Sequence, residues 1–236
     1  NTVNSTNIYA MEQLQAKLAE HGAAFFADLQ TAGKGQMGKK WESESGQNLL
    51  LSVILNVSTL HIGHQFALSA AIALASWDLL STYIPSELTI KWPNDIYWGD
   101  RKAGGILIEN QISGGIWTYA IAGIGMNINQ THFEGVMQKA VSLKQITGKI
   151  NHPIELAKAL CIHLNNRYHQ LLEPDGPEKL LAQYHEVLYK KEQLVKLKTG
   201  SITATYCIDG VNQFGDLLAA AGIQHPFRHG SVEWII

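Results

Sequence analysis

Residues 105–125 read GILIENQISGGIWTYAIAGIG, two apolar runs on either side of Ser113-Gly114-Gly115. A short glycine-rich turn between two such runs is typical of a β-hairpin. The runs Gly105 to Ile112 and Trp117 to Gly125 are therefore predicted to pair antiparallel, because a parallel pair would need a longer crossover segment between them. The hairpin favours an α+β fold built on a mixed or antiparallel sheet.

Four other segments with apolar residues at helical spacing are predicted to be helices, and three further apolar runs are predicted to be strands. The helices are a segment that begins at Ser5 or Thr6 and runs to His21, then Gln65 to Tyr83, about Ile154 to Leu172, and Pro177 to Tyr189. The strands are Ala23 to Gln30, Leu49 to Val57 and Leu88 to Trp92. The alanine-rich helix from Gln65 is apolar throughout, so we expect it to pack across the sheet.

After Lys191 the pattern changes to short strands alone, which is typical of a small β-barrel. The four short strands are Gln193 to Lys198, Ile202 to Ile208, Gln213 to Ala219 and Ser231 to Ile235. We therefore predict two domains, a larger one over residues 1–188 and a small β-barrel over residues 189–236.

The composition excludes several classes of protein. The chain has 236 residues, 46% apolar and 16% charged, and a net charge of −2, so no overall attraction to nucleic acid or anionic membranes is expected. The longest apolar stretch, Phe66 to Ala75, is far shorter than the roughly 20 residues of a membrane span. Cys161 and Cys207 form no C-x-x-C pair, which argues against a disulfide framework or zinc site. The polar first residues lack the pattern of a secretory signal, so we expect a cytoplasmic location.

The segment from Thr31 to Gln47 is polar and glycine-rich and is predicted to be a long loop. Within it, residues 33–38 read GKGQMG and satisfy the G-x-G-x-x-G pattern of dinucleotide sites. That function is disfavoured, because no apolar helix follows and the position that needs an acidic residue is Ser58. The glycine backbone and Lys34, Lys39 and Lys40 could surround an anion; the alternative is a solvated basic loop.

Two further motifs have both a functional and a structural interpretation. His61-Ile62-Gly63-His64 spells a signature of class I aminoacyl-tRNA synthetases, but its partner loop is missing, so a polar turn before the long helix is favoured. Lys91-Trp92-Pro93-Asn94-Asp95 would place a cation and hydrogen-bonding groups at one sheet edge. The alternative for that segment is a strand end with an exposed turn.

Small residues at the strand ends near the hairpin would let a flat ligand lie close to the backbone, although close packing of the sheet would need them equally. They occur in Gly104-Gly105-Ile106 and Gly123-Ile124-Gly125. Asn127 can offer both a donor and an acceptor to a heteroaromatic edge such as adenine, and a turn asparagine is the alternative.

Taken in order, six segments of the chain resemble the motifs of the biotin protein ligases. They are Ser5-Thr6-Asn7, Gln30-Thr31-Ala32-Gly33-Lys34-Gly35, Gly38-Lys39-Lys40-Trp41, Lys91-Trp92-Pro93-Asn94-Asp95, Lys102-Ala103-Gly104-Gly105-Ile106-Leu107 and Gly123-Ile124-Gly125-Met126-Asn127. The segment from Phe214 to Glu233 is similar to the family's SH3-like barrel. The resemblance implies a catalytic domain like that of class II aminoacyl-tRNA synthetases followed by that barrel.

The resemblance also implies an activity and its partners. A member of this family activates biotin with ATP and Mg²⁺ to biotinyl-5′-adenylate and transfers biotin to a lysine of a biotin carboxyl carrier protein. Repressor-type members carry a DNA-binding domain before the catalytic domain; only four residues precede Ser5, so DNA binding is not expected. Pairing of two chains through a sheet edge, as a homodimer, is left open by the resemblance.

Individual roles follow by match of motif. Lys91 is implied as the catalytic residue that holds the biotin carboxylate and an α-phosphate oxygen. The residues implied to bind biotin are Ser5, Thr6, Asn7, Gln30, Gly33, Lys34, Gly35, Gln36, Lys91, Gly104, Gly105 and Ile106. The residues implied to bind ATP are Lys39, Trp41, Asn94 and Asn127, and no side chain is implied as a metal ligand.

The loop departs from the family's bacterial pattern, and two other functions stay open. Many members have Gly-Arg-Gly-Arg-Arg-Gly-Arg where this chain has GKGQMGK at residues 33–39, so the adenylate is expected to be held more weakly or differently. The first alternative function is a lipoate or octanoate ligase of the same superfamily. The second is a biotin-sensing module without catalysis.

Overall fold

The structure, a computed structural model, describes residues 1–133 and 139–235. Its strands are β1 Thr2–Val3, β2 Ala24–Phe26, β3 Leu29–Gln30, β4 Leu49–Asn56, β5 Leu88–Lys91, β6 Asp95–Trp98, β7 Arg101–Ser113, β8 Ile116–Met126, β9 Leu194–Thr199, β10 Ile202–Val211, β11 Leu217–Ala221, β12 Ile223–Phe227 and β13 Glu233–Ile235. Its helices are α1 Thr6–Gln15, α2 Gln65–Ser81, α3 Leu143–Thr147, α4 Pro153–Leu171 and α5 Gly176–Glu186. Short 3-10 turns span Gln36–Gly38 and Ile62–His64.

A six-stranded sheet in the order β2-β4-β8-β7-β6-β5 forms the centre of the fold, and every neighbouring pair is antiparallel. The hairpin prediction is confirmed, with β7 and β8 joined across Ser113 and Ile116. β4 is apolar along nearly its whole length because helices cover both faces of the sheet. On one face Ala10 and Leu14 of α1 pack against Ile54 and Ile121, and on the other face α2 is buried in the main core. The α+β prediction is confirmed.

A second sheet, in the order β12-β11-β10-β9-β13, follows at the C-terminus and is also antiparallel. Leu197, Ile208 and Leu217 of this sheet belong to the same buried cluster as α2. The indole N–H of Trp92 donates to the carbonyl of Gly215 at 2.9 Å, which ties the small sheet to the large one. No ladder closes β12 onto β13 in the described part, so the predicted barrel is observed as a five-stranded sheet.

Several boundaries differ from the sequence predictions. The first helix ends at Gln15 rather than His21, because Lys17 adopts a positive φ of 58° that no helix continues through. The predicted strand Ala23 to Gln30 is divided into β2 and β3, and the predicted strand from Gln213 begins only at Leu217. β6, β12 and α3 were not predicted. The domain boundary at 188 stays a prediction, and Ile236 lies outside the described residues.

Two other predictions are confirmed at these positions. His61-Ile62-Gly63-His64 forms a 3-10 turn that leads directly into α2, and the ring Nδ1 of His61 accepts from the N–H of Gly63 at 3.1 Å. Residues 31–47 contain no strand and only one 3-10 turn, which supports a loop rather than a dinucleotide-binding helix. Across residues 1–133 and 139–235, no helix combines the length and apolar character needed to cross a bilayer.

Candidate active site

Cross-strand pairing brings the predicted motifs together on one face of the large sheet. Lys91 pairs with Asp95, Asp95 with Gly105, and Gly105 with Gly125. Residues opposite one another on neighbouring strands project to the same face. The three motifs that lie far apart in the sequence therefore form one continuous row.

Trp41 covers the glycines of this row. A Cβ at Gly125 would lie 2.5 Å from Cε2 of Trp41, and one at Gly105 would lie 3.2 Å from Cζ3. Real Cβ atoms essentially never show a 2.5 Å contact, so the indole can lie this close to Gly125 only because that residue is glycine, whereas a Cβ at Gly105 would make a tight contact. The ring Nε1 of Trp41 is buried and has no hydrogen-bond partner. A residue implied to bind ATP thus lies directly on the surface implied to hold biotin.

Gly104 and Ile106, also implied to form this surface, face the opposite side of the sheet. A Cβ at Gly104 would meet Cγ of Met126 at 3.4 Å, and Ile106 is buried in the main core. The reason is the alternation of side chains along a strand, which a motif match does not resolve. Ile106 also lines a cavity of about 250 Å³. That cavity is further lined by Gln36, Gln65, Phe66, Ser69, Pro93, Asn94, Ile108, Asn110, Phe214, Gly215 and His229.

A buried polar network occupies the N-terminal end of the site. The side-chain Oε1 of Gln30 accepts from the backbone N–H of Thr6 at 2.7 Å and from its hydroxyl at 3.0 Å. The hydroxyl of Ser52 lies 2.7 Å from Oγ1 of Thr6 and 2.6 Å from Oδ1 of Asn7. Ser5, directly before α1, is 2% exposed. The four residues implied to bind the biotin head group are therefore adjacent.

Glu109 connects this network to the loop. The side-chain amide of Asn7 donates to Oε2 of Glu109 at 2.8 Å, and Lys34 forms an ion pair with Oε1 at 3.6 Å. Asn7 packs so tightly against Gly123 that a Cβ there would overlap the amide. A polar chain thus runs from Gln30 to the loop lysine.

The loop over residues 33–41 folds back on itself. Lys34 and Lys40 form an isolated antiparallel bridge, and the N–H of Gly35 donates to the carbonyl of Lys39 at 2.7 Å. Gly33 is buried against the backbone of Trp41, with no space for a side chain. Lys39 is exposed and Gln36 half-buried. The loop therefore projects its basic side chains from a tight base.

Lys91 lies near one acidic group and three other lysines. Its ammonium is 3.4 Å from the hydroxyl of Tyr97, while Asp95 forms its ion pair with Lys102 at 2.7 Å. Burial lowers the pKa of Lys91 from 10.5 to about 8; Asp95 opposes this, and Lys102, Lys139 and Lys39 add to it. The lysine is thus a poorly solvated cation that keeps its charge at neutral pH.

Two asparagines implied to bind ATP have different surroundings. The side-chain amide of Asn127 donates to the carbonyls of Lys102 and Val141 at 3.2 and 3.3 Å, but its Oδ1 is buried without a partner. The amide of Asn94 donates to the carbonyl of Ile106. Asn127 therefore retains an acceptor for a ligand, whereas Asn94 joins the turn before β6 to β7.

No group of three or more His, Cys, Asp or Glu side chains that could hold a metal ion occurs within residues 1–133 and 139–235.

Several residues that complete the arrangement were not predicted from the sequence. Ser52 had a detectable signal, as the hydroxyl residue within the apolar run of β4. Glu109 could have been noticed as a charge inside the hairpin strand. Tyr189 and Trp234, whose rings lie near Lys91, had no such signal in the sequence, because they are distant from Lys91 along the chain.

The chain matches known families over most of its length. Residues 1–127 match the model of the Biotin/lipoate A/B protein ligase family. The Bifunctional ligase/repressor BirA of Escherichia coli is 28% identical over 233 residues, which is 98% of this chain and 71% of the relative. A Biotin–[acetyl-CoA-carboxylase] ligase of Mycobacterium tuberculosis is 30% identical over 129 residues, 53% of this chain and 47% of the relative.

The fold is similar to a solved structure as well. The biotin protein ligase from Aquifex aeolicus in complex with biotin and ATP has a TM-score of 0.82 and 25% identity to this chain. The superposition covers 100% of this chain and 96% of that one. The similarity therefore includes the C-terminal sheet.

Proposed function

The chain belongs to the Biotin/lipoate A/B protein ligase family, and from this membership we propose how its site joins biotin to a carrier protein. The function is that of a biotin–[carboxyl carrier protein] ligase that uses ATP. The observation that supports this assignment best is the row Lys91-Asp95-Gly105-Gly125 beside the buried network of Thr6, Asn7 and Gln30. One surface thus offers hydrogen bonds for a polar head group and a cation for an activated carboxylate.

In the first step a carboxylate oxygen of biotin attacks the α-phosphorus of ATP. The bond from that phosphorus to the bridging oxygen of pyrophosphate breaks, and biotinyl-5′-adenylate forms. Negative charge accumulates on the phosphoryl oxygens, so a fixed cation in a poorly solvated position lowers the barrier. We assign that role to Lys91. Mg²⁺, when bound, would supply positive charge that favours departure of pyrophosphate.

In the second step the amine of the carrier lysine attacks the carbonyl carbon of the adenylate. The bond between that carbon and the phosphate oxygen breaks, AMP leaves, and an amide forms after the amine loses a proton. The acidic residue nearest Lys91 in the row, and so the first candidate to accept that proton, is Asp95. Its carboxylate already forms an ion pair with Lys102. Water would hydrolyse the adenylate, so the loop over residues 33–41 has the role of covering it.

The head-group end supports biotin as the substrate over lipoate or octanoate. A ureido ring presents both donors and acceptors, and Thr6, Asn7 and Gln30 provide complementary groups on fixed backbone. The disulfide ring of lipoate and the alkyl chain of octanoate carry no N–H or C=O groups that could hydrogen-bond to these side chains. The roles of Ser5, Gly33, Lys34, Gly35, Gln36 and the ATP-binding set of Lys39, Trp41, Asn94 and Asn127 are proposed on the same motif matches.

The partner we propose is a biotin carboxyl carrier domain. A cytoplasmic location and a homodimer through a sheet edge stay predictions, as does the absence of DNA binding. The net charge of −2 offers no overall attraction to DNA.

The decisive experiment measures exchange of labelled pyrophosphate into ATP with biotin, lipoate or octanoate, followed by transfer to a carrier domain. Exchange with biotin alone and label on the carrier lysine are expected; a carrier with that lysine changed to arginine is the control. Exchange with lipoate but not with biotin would identify the protein as a lipoate ligase. Tight biotin binding in calorimetry without exchange would instead identify a sensor.

A further inference from the structure

Three aromatic rings from three parts of the chain surround the ammonium of Lys91. Its Nζ lies 4.7 Å from the ring centre of Tyr97 on β6, 5.4 Å from that of Trp234 on β13, and 5.8 Å from that of Tyr189. All three distances are within the range of cation–π attraction. We call these three rings the aromatic cage.

The cage rings contact one another and are anchored from outside. Tyr97 and Tyr189 stack with centres 5.3 Å apart, and Tyr189 and Trp234 lie 5.7 Å apart. The hydroxyl of Tyr189 donates to Asp100 at 2.6 Å. Because the rings are held in place, they restrict the Lys91 side chain, which then loses less conformational entropy when its ammonium is positioned for reaction.

The carboxylate nearest Lys91 is engaged by a different lysine. Asp95 lies opposite Lys91 in the ladder, but its close ion pair is with Lys102. Ring faces stabilise a cation without the full neutralisation that a carboxylate would bring, so the charge remains available to an incoming anion.

We propose that Trp234 and Tyr189 are positioning residues for adenylate formation, whose ring faces hold the Lys91 ammonium against the reacting oxygens. The C-terminal sheet thereby completes the active site of the large sheet. This inference rests on the proposed role of Lys91 in adenylation.

Removal of a ring has a definite effect on ionisation. The charged groups facing Lys91 are Asp95 on β6, Lys102 on β7, Lys39 in the loop and Lys139, with Tyr97 and Tyr189 neutral beside them. Leucine in place of the indole keeps water out but removes a ring face that stabilises the cation, so the pKa of Lys91 falls below about 8 in Trp234→Leu.

The test measures the pH dependence of Lys91 acetylation by acetic anhydride, read by mass spectrometry, beside biotin-dependent pyrophosphate exchange over the same pH range. In Trp234→Leu both the labelling midpoint and the alkaline fall of exchange should move down by about one pH unit, because the cation loses the attraction of the ring face. Trp234→Phe keeps a ring and should leave both in place. Tyr206→Ala, in the same small sheet but outside the cage, is the matched control.

A second pair of variants distinguishes loss of the aromatic ring from loss of folding. Trp234→Leu keeps apolar bulk without a π face and should lower exchange at pH 7 about tenfold, whereas Trp234→Phe stays within about threefold of wild type. Equal rates in these two folded proteins would overturn the proposal, as would an unmoved labelling midpoint in folded Trp234→Leu.

The same data separate the cage from the function on which it rests. A labelling midpoint that moves while the alkaline fall of exchange stays fixed supports the cage but removes Lys91 from adenylation. Movement of both supports both assignments.

Discussion

The two ends of the candidate site differ in how their polar atoms are satisfied. At the head-group end, Thr6, Asn7, Gln30 and Ser52 bond to one another in a buried network. At the lysine end, by contrast, the indole N–H groups of Trp41 and Trp234 and the Oδ1 of Asn127 are buried without any partner. Buried polar groups without partners are rare and costly.

The difference indicates two modes of recognition. The head-group end is preorganised, because its donors and acceptors are already fixed by the protein. The lysine end keeps binding capacity that only a ligand satisfies, and it holds a cation in a poorly solvated position. Preorganisation suits selection of a substrate, and unsatisfied polar atoms suit a site where charge develops during reaction.

The largest expected effect comes from breaking the lysine end. Lys91→Ala should slow single-turnover adenylate formation by about 10²–10³-fold, because a fixed cation near the developing charge is lost. Lys158→Ala, an exposed lysine paired with Glu155 on α4, serves as the control. An unchanged rate in Lys91→Ala would refute the assignment.

A methyl group placed on β8 should distinguish the two ends. Gly123→Ala collides with Asn7 of the network, and Gly125→Ala collides with Trp41. We expect Gly123→Ala to weaken biotin binding without ATP by about ten- to a hundredfold, since buried hydrogen bonds are broken. Gly125→Ala should weaken that binding less and slow adenylation more.

Calorimetry with biotin and exchange kinetics on both variants measure this split. Equal losses of biotin affinity would mean that the two ends do not act separately. The double variant Asn7→Ala with Gly123→Ala should show non-additive losses, because the two residues are in contact.

A smaller effect concerns stability. Ser52→Ala removes the hydroxyl between Thr6 and Asn7 and should lower the free energy of unfolding by about 1–3 kcal/mol. Ser76 is equally buried but donates only to the carbonyl of Ile72 within α2, so Ser76→Ala should cost about 1 kcal/mol or less. Urea unfolding compares them, and equal losses would contradict the importance of the network.

The remaining effect is the pH dependence of stability. Because the folded pKa of Lys91 is lowered from 10.5 to about 8, the unfolded chain binds more protons between these values, and stability rises with pH there. Lys91→Met removes this dependence and should be more stable than wild type at pH 7, by a margin that shrinks above pH 8. Chemical unfolding at pH 7 and 9.5 tests this, and a constant margin would contradict it.

Much of the fold could be predicted because local patterns determine it. The glycine turn at residues 113–115 and the apolar run of β4 predicted the centre of the sheet, and α2 was found within two residues of its ends. The end of α1 was not predicted correctly, since lysine is not a residue type that signals the positive φ of Lys17. β12, with Pro226 and His225, lacks a strand pattern and is held by its pairing with β11.

The residues of the candidate site could be predicted from the sequence only where they lie within a short motif. Lys91, Thr6 and Gln30 could be singled out on such motifs. The structure joins Thr6 and Gln30 by hydrogen bonds beside Asn7, while Lys91 lies on the edge strand of the six-stranded sheet. The orientation of Gly104 away from Trp41 could not be predicted from the motif, because a shift of one residue in a strand reverses the face to which a side chain points.

By itself the sequence determined the order of helices and strands and the residue types of the site, because hydrophobic period and turn chemistry act over a few residues. Only the tertiary structure decided which groups meet: Ser52 with Asn7, Trp41 with Gly125, and Trp234 with Lys91. These contacts join residues far apart in the chain, and they exist because strand register and packing of the two sheets fix each side chain in space.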